Sequence, residues 1–350
     1  MLTLNELLDK PLQLLADLLK GVDKVALLDY PEYANVGDSM IWLGQVALLR
    51  RLNKKIIYVC AISNFDEHEA AAAVGAGAAL IINGGGNFGT LWPHHQEFRE
   101  RIMTLFADAL IIQMPQSICF EDEAALQRTR RIIGNCSNLH LLVRDHPSYA
   151  FARDNFSTDI VLCPDSAFFL TDLPTLVPDL DVVYLRRSDR EADVNSGGGE
   201  LHSSLAINVT DWLEQNWIEK QLQQTLRYSV RKKWLRNNQR VTIALYNLLA
   251  YIRTRRGVQL LARGRCIITD RLHAHVLSVL LKRPSFLLDN SNGKVFAFYE
   301  AWTRDLGVSR CVGSVREALR MASVLNVVQF LALQFFYESD VATVALAYVS

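Results

Sequence analysis

Short apolar runs, each closing on a Gly, Asn or Asp cluster and followed by a helical pattern, constrain this chain more than any other feature. They read VALLDY, KIIYVC, ALIINGGG, ALIIQMPQS, LHLLVRD and DIVLCPD, and the last ends at Asp165. Runs of about four to eight residues that are apolar throughout suit strands buried on both faces, and their alternation with helices implies a parallel sheet. The expected class is α/β. The first domain should be Rossmann-like, with functional loops at the C-terminal ends of its strands.

Around LTDLPTLVPDLD the chain turns Pro- and Asp-rich, and VVYLRRSDRE then begins a fresh strand, so a second domain starts near Leu180. A length of 350 residues exceeds the usual size of a single core. EADVNSGGGELHSS has no hydrophobic periodicity and reads as a loop. From Asp211 to about Leu261 the pattern is helical and includes the basic segment RYSVRKKWLRNNQR. A solvated helix face is the first reading of those charges; contact with an anionic, lipid-linked substrate is the second. Strand RCIITD, helix RLHAHVLSVLL, strand SFLLD and loop NSNGK complete a further βαβ unit. The expected organisation is residues 1–175 and 180–315 as two Rossmann-like domains and 316–350 as a helical tail.

Lys plus Arg and Asp plus Glu both number 37, so no overall charge favours nucleic acid, and any anion site must be local. The six cysteines lack metal-ligand spacing and are expected to be buried thiols in a reducing compartment. Glu6, Asp9 and Lys10 interrupt the amphipathic N-terminus where an export signal needs an apolar core. The apolar C-terminal stretch is broken by Asn326, Gln329 and Gln334 short of a spanning length of about 20 residues. A cytoplasmic protein is expected, with peripheral contact at the inner face of the plasma membrane as the reading the apolar tail leaves open.

Several turns carry residues suited to chemistry. NVGD (Asn35 to Asp38) precedes a helix, where Gly37 permits a tight approach and Asp38 can cap. NGGGNFG places Gly85, Gly86 and Asn87 in a loop whose amides and side-chain amide suit hydroxyl recognition, but its spacing fails the dinucleotide fingerprint. His94 and His95 are adjacent, make a poor metal pair, and read as helix-surface histidines. Arg144 ends the fifth strand and suits a carboxylate or phosphate, although a lone Arg144–Asp145 pair would more often be a structural salt bridge. In TDRLHAHVLSVLL, Arg271, Leu272 and His273 open a helix where an anion could be gripped. Only one of His273 and His275 can project from that face.

Taken together, NVGDSMIW, GGGNFGTLWPHHQEFR, QMPQSI, VRDHPSY, CPDSAFF, VVYLRRSDRE, RGRCIITDRLHAHVLS and LLDNSNGKV resemble the polysaccharide pyruvyltransferase family, in order from about residue 35 to 305. The resemblance implies a GT-B-like pair of Rossmann domains with a cleft between them. It also implies phosphoenolpyruvate as co-substrate; no cofactor is expected, and no metal, because no Asp, Glu or His cluster in the sequence offers a credible ligand set. Arg144, Arg271 and Leu272 are then donor contacts and His273 the general acid. Asn35, Gly37, Asp38, Gly85, Gly86, Asn87, Asp165 and Lys294 are candidate acceptor or loop contacts. Thr90 stands where many relatives are expected to carry an acid.

The reaction so implied forms a pyruvate ketal on two hydroxyls of a sugar or lipid-linked oligosaccharide in exopolysaccharide synthesis. A sugar-nucleotide glycosyltransferase of the same architecture and a non-catalytic sugar-binding protein are the alternatives.

Overall fold

The computed structural model describes residues 3–170, 173–174, 176–188, 204–215, 217–230, 238–290 and 293–325. The expected loop over residues 191–203, the basic stretch 231–237, positions 291–292 and the tail from 326 lie outside them. Packing divides the chain into two units: Met1–Leu173 with Trp212–Val258 and Ala297–Gly307, and Pro174–Asp211 with Gln259–Phe296 and Val308–Ser350.

Among the described residues of the first unit, seven strands form one parallel sheet: β1 (Lys24–Leu28), β2 (Lys55–Cys60), β3 (Ala78–Ile82), β4 (Gly85–Gly89), β5 (Ile111–Cys119), β6 (Leu139–Val143) and β7 (Asp159–Leu162). The order is β2-β1-β3-β5-β6-β7, with β4 also paired to β5. β3 reads AALII and is buried at every position, as a central parallel strand requires. α1 (Leu4–Leu18) precedes β1, and between the strands run α2 (Val36–Arg51), α3 (Glu67–Gly75), α4 (Pro93–Leu105), α5 (Glu123–Gly134) and α6 (His146–Asn155). Asp66, Asp122 and Asp145 cap α3, α5 and α6 through amides of the first turn. Leu80, Ile82, Phe88, Ile111, Leu141 and Val143 share one core with side chains of α3, α4, α5 and α6. Cys60, Cys163 and Cys266 are buried, and desolvation pushes each thiol up to about 12.

The chain returns to this unit after the first two strands of the second. α7 (Trp217–Val230) and most of α8 (Gln239–Leu261) belong to it. Tyr246 of α8 stacks on Tyr30 at 3.9 Å, Trp42 Nε1 donates to Asn247 Oδ1 at 2.9 Å, and Arg253 donates to the Pro31 carbonyl at 2.9 Å. Gly257 is needed because a Cβ there would stand 2.4 Å from Val36 Cγ1. A second return brings Trp302, whose Nε1 donates to the Arg144 carbonyl at 2.8 Å.

The second unit has, among its described residues, a five-stranded parallel sheet of β8 (Leu180–Leu185), β9 (Ile207–Thr210), β10 (Gly264–Thr269), β11 (Ser285–Leu287) and β12 (Ser309–Cys311), ordered β12-β11-β10-β8-β9. α9 (Leu272–Leu280), α10 (Lys294–Phe298) and a helix over 315–325, α11, accompany it. Val182, Tyr184, Ile268, Phe286 and Ala318 form its core. The protein is α/β with two parallel sheets, each consistent with a Rossmann-like domain.

Candidate active site

In the first unit the candidate residues gather at the C-terminal ends of parallel strands, where loops of such sheets bind ligands. The Gly-rich segment is not an open loop. It forms β4, because its glycines let the backbone lie against β5: Gly89 has φ +115°, and a Cβ there would sit 1.9 Å from the Cys119 carbonyl oxygen. Gly85 has φ +136°, and a Cβ on it would lie 3.5 Å from Asp38 Oδ1. The fold thus brings the NVGD turn beside the Gly-rich strand. Asn35 caps α2, its Oδ1 accepting from Gly37 N at 2.9 Å, which leaves Asp38 in the first turn.

β5 runs on through QMPQS, and its two buried glutamines hold β4 in place. Gln116 accepts from Asn87 N at 3.2 Å and donates to Asn87 Oδ1 at 3.0 Å; Gln113 donates to the Asn83 carbonyl at 2.9 Å. Beneath them lies Arg99, fully buried, donating to Gln113 Oε1 at 2.7 Å, Gln96 Oε1 at 2.9 Å and Asn87 Oδ1 at 2.8 Å. Burial pushes this guanidinium down to about 10. The Asn87 carbonyl oxygen is therefore committed to the protein, and its amide nitrogen is the end suited to a sugar hydroxyl.

His94 is exposed, as expected of a helix-surface histidine, but His95 is buried and bonded through Nδ1 to both oxygens of Asp29, at 3.0 and 2.9 Å. The difference arises from packing: His95 lies on the side of α4 that meets the end of β1. Asp29 has φ +66°, a left-handed conformation that a non-glycine residue adopts at some cost, with the buried histidine as its partner.

Arg144 ends β6 with its side chain buried. Nη1 donates to Asp165 Oδ2 at 2.7 Å and Nε donates to Ser117 Oγ at 3.0 Å. Asp145 is committed elsewhere, accepting from Ser117 Oγ at 2.6 Å and from Ser148 N at 2.8 Å. The ion-pair partner of Arg144 is Asp165, not its neighbour Asp145.

In the second unit, Arg271 stands at the N-cap of α9, its backbone N–H bonded to Thr269 Oγ1 at 3.0 Å and its Nη2 to Asp211 Oδ2 at 2.7 Å. Asp211 also accepts from Ser188 Oγ at 2.5 Å, so it is itself oriented. Leu272 is buried and His273 half-buried in the first turn. His275 is fully buried with Ser309 Oγ 3.3 Å from its Nδ1, and desolvation pushes its imidazole down to about 3. Lys294 opens α10, its backbone N–H donating to Asn290 Oδ1 at 3.1 Å.

Residues 35–292 match the family described as "Polysaccharide pyruvyl transferase". The chain belongs to this family. It is therefore a transferase. Pyruvyl transferase 1 of Schizosaccharomyces pombe (strain 972 / ATCC 24843) is 32% identical over 322 residues, covering 86% of this chain and 76% of that protein. "Putative pyruvyl transferase EpsO" of Bacillus subtilis (strain 168) is 29% identical over 304 residues, covering 85% and 91%. A crystal structure of an uncharacterised protein from Klebsiella pneumoniae subsp. pneumoniae shares the fold with a TM-score of 0.56 at 17% identity, over 88% of this chain and 99% of that one.

Asp29, Arg99, Gln113, Gln116 and Asp211, which bond to residues at the strand ends and at the start of α9, were not singled out from the sequence. Asp29, Gln113 and Gln116 stand within or at the end of otherwise apolar strand runs, whereas Arg99 lies in the polar sequence of α4 and carries no such signal. A buried polar group must find a partner, so polarity inside a strand run was the available signal.

Proposed function

We propose that this transferase moves the pyruvyl group of phosphoenolpyruvate onto two hydroxyls of a sugar as a cyclic ketal, in bacterial exopolysaccharide synthesis in the cytoplasm. The observation that carries this reading is the start of α9. Arg271 is oriented by Asp211 at 2.7 Å, His273 is half-exposed in the first helical turn, and His275 is buried two residues on. A guanidinium and the amides of a helix N-terminus suit the phosphate and carboxylate of the donor. An imidazole beside them suits proton transfer near neutral pH.

In this mechanism His273 gives its proton to the methylene carbon of phosphoenolpyruvate. The central carbon becomes an oxocarbenium-like electrophile, and one sugar hydroxyl adds to it. The C–O bond to phosphate then breaks and the second hydroxyl closes the ring. Of the two hydroxyl protons, one restores His273 and the other leaves with inorganic phosphate. The general acid is worth roughly 100- to 10,000-fold in rate.

Arg144 joins Arg271 as a donor contact on the family's RD-x-x-S pattern, with Asp165 as its positioning partner. Asp38, beside Gly85, is the candidate acceptor of a hydroxyl proton, and Asn87 offers its amide nitrogen to the sugar. Asn35, Gly37, Gly86 and Lys294 complete the proposed contacts. The test is phosphate release from phosphoenolpyruvate in the presence of a sugar extract, with mass spectrometry of the product. A pyruvyl ketal accompanied by one phosphate per transfer is expected. Transfer from a sugar nucleotide in place of phosphoenolpyruvate would overturn the reading.

A further inference from the structure

α8 is apolar on its inner and its outer face alike. Its inner face buries Leu249, Ala250 and Val258 and carries Tyr246, Asn247 and Arg253, which bond or stack onto the rest of the first unit. Its outer face carries Val241, Ala244, Leu248 and Tyr251, spaced three and four residues apart and exposed to solvent. Leu248 is 46% and Tyr251 54% exposed. A surface helix ordinarily has one apolar stripe, turned to the core, so a second stripe facing solvent calls for a covering phase.

The apolar surface extends onto α7. Leu222, Thr225 and Leu226 of α7 line a shallow groove with Leu245, Leu248 and Leu249 of α8. Trp217 and Ile218 at the start of α7 are 73% and 57% exposed. Among the described residues of the two helices, every exposed charge is basic. From Lys220 to Val258 the sequence holds ten Lys and Arg and no Asp or Glu, in a chain whose Lys plus Arg and Asp plus Glu are equal overall. Among the described residues, Lys220, Arg240 and Arg255 are exposed on these two helices.

We propose that the outer face of α7 and α8 docks the protein on an anionic lipid bilayer. Leu, Val and Ile side chains would enter the acyl boundary, Trp217 and Tyr251 would sit at headgroup level, and Lys220, Arg240 and Arg255 would meet lipid phosphates. Charge complementarity selects this occupant: a second copy would bring its own cations onto the same surface. None of these residues belongs to the candidate active site, so the inference stands apart from the identity of donor and acceptor.

The experiment is co-sedimentation of the full chain with phosphatidylcholine vesicles, with and without phosphatidylglycerol. Wild type should bind only the phosphatidylglycerol vesicles, and less at high salt. A variant with Leu248→Glu and Tyr251→Glu, and a second with Arg240→Gln and Arg255→Gln, should each reduce partitioning by about tenfold or more while keeping the wild-type Tm. The proposal is overturned if wild type ignores phosphatidylglycerol vesicles or if both folded variants bind as wild type does. It is equally overturned if light scattering shows a wild-type dimer that the Leu248→Glu, Tyr251→Glu variant dissociates and that binds no vesicles.

Discussion

Nη1 of Arg144 lies 2.7 Å from Oδ2 of Asp165, and both side chains are almost wholly buried. Removing one partner of such a pair strands a charge in a poorly solvated place. Asp165→Asn should therefore destabilise the protein by about 3 kcal/mol and raise the KM for phosphoenolpyruvate, as Arg144 loses its orientation. Urea unfolding and initial-rate kinetics measure the two effects; wild-type values for both would mean that Arg144 needs no anchor.

Arg271 is held by Asp211 in the same manner, at 2.7 Å. Arg271→Lys keeps the charge but loses the planar fork that can serve aspartate and ligand together. The KM for phosphoenolpyruvate should rise by about tenfold or more. An unchanged KM would assign Arg271 to structure alone.

The two histidines of α9 should part company. His273→Gln should lower kcat by roughly 100- to 10,000-fold while leaving the fold and much of the phosphoenolpyruvate affinity. His275→Gln should leave turnover per folded molecule within about a few-fold. Single-turnover assays on both variants, normalised to folded protein, decide the matter; the reverse pattern would reassign the acid.

His275 also predicts a pH dependence of stability. Burial lowers its folded pKa from 6.5 to about 3, so between these values the unfolded chain binds the proton and the folded chain does not. Stability from this group is complete above about pH 6.5 and falls as pH drops towards 3, by about 1.4 kcal/mol per unit within that window. Urea titrations of wild type and His275→Gln across this range should show a shallower pH slope in the variant.

Gly89→Ala should be severely destabilising, by about 3 kcal/mol or more, because the new Cβ would meet the Cys119 carbonyl at 1.9 Å and φ +115° is strained for alanine. Thermal unfolding tests this. A Tm near wild type would mean that β4 can separate from β5 at little cost.

The strand runs made most of both sheets legible. Apolar segments such as ALII and LHLLV can only be buried strands in a chain with this alternation, and β3 and β6 stand where those segments place them. The RLH helix start was legible for the same local reason. The helix period puts His273 and His275 on different faces, and packing against the second sheet buries His275. The Gly-rich segment was misread as an open loop. Glycine reports only that a Cβ is unwelcome, whereas pairing with β5 depends on a strand more than twenty residues away.

Local pattern thus determined the α/β class, the parallel strands, the family and the register of α9, because burial periodicity and motif spacing are properties of contiguous residues. Tertiary structure alone decided which aspartate holds which arginine, with Asp165 21 residues from Arg144 and Asp211 60 residues from Arg271. It also decided that His95 is a buried partner of Asp29 and that α7 and α8 rejoin the first unit. These depend on where the chain crosses back on itself. A charged or amide side chain has the same local signature whether it meets water, a ligand or a partner brought from a distant element.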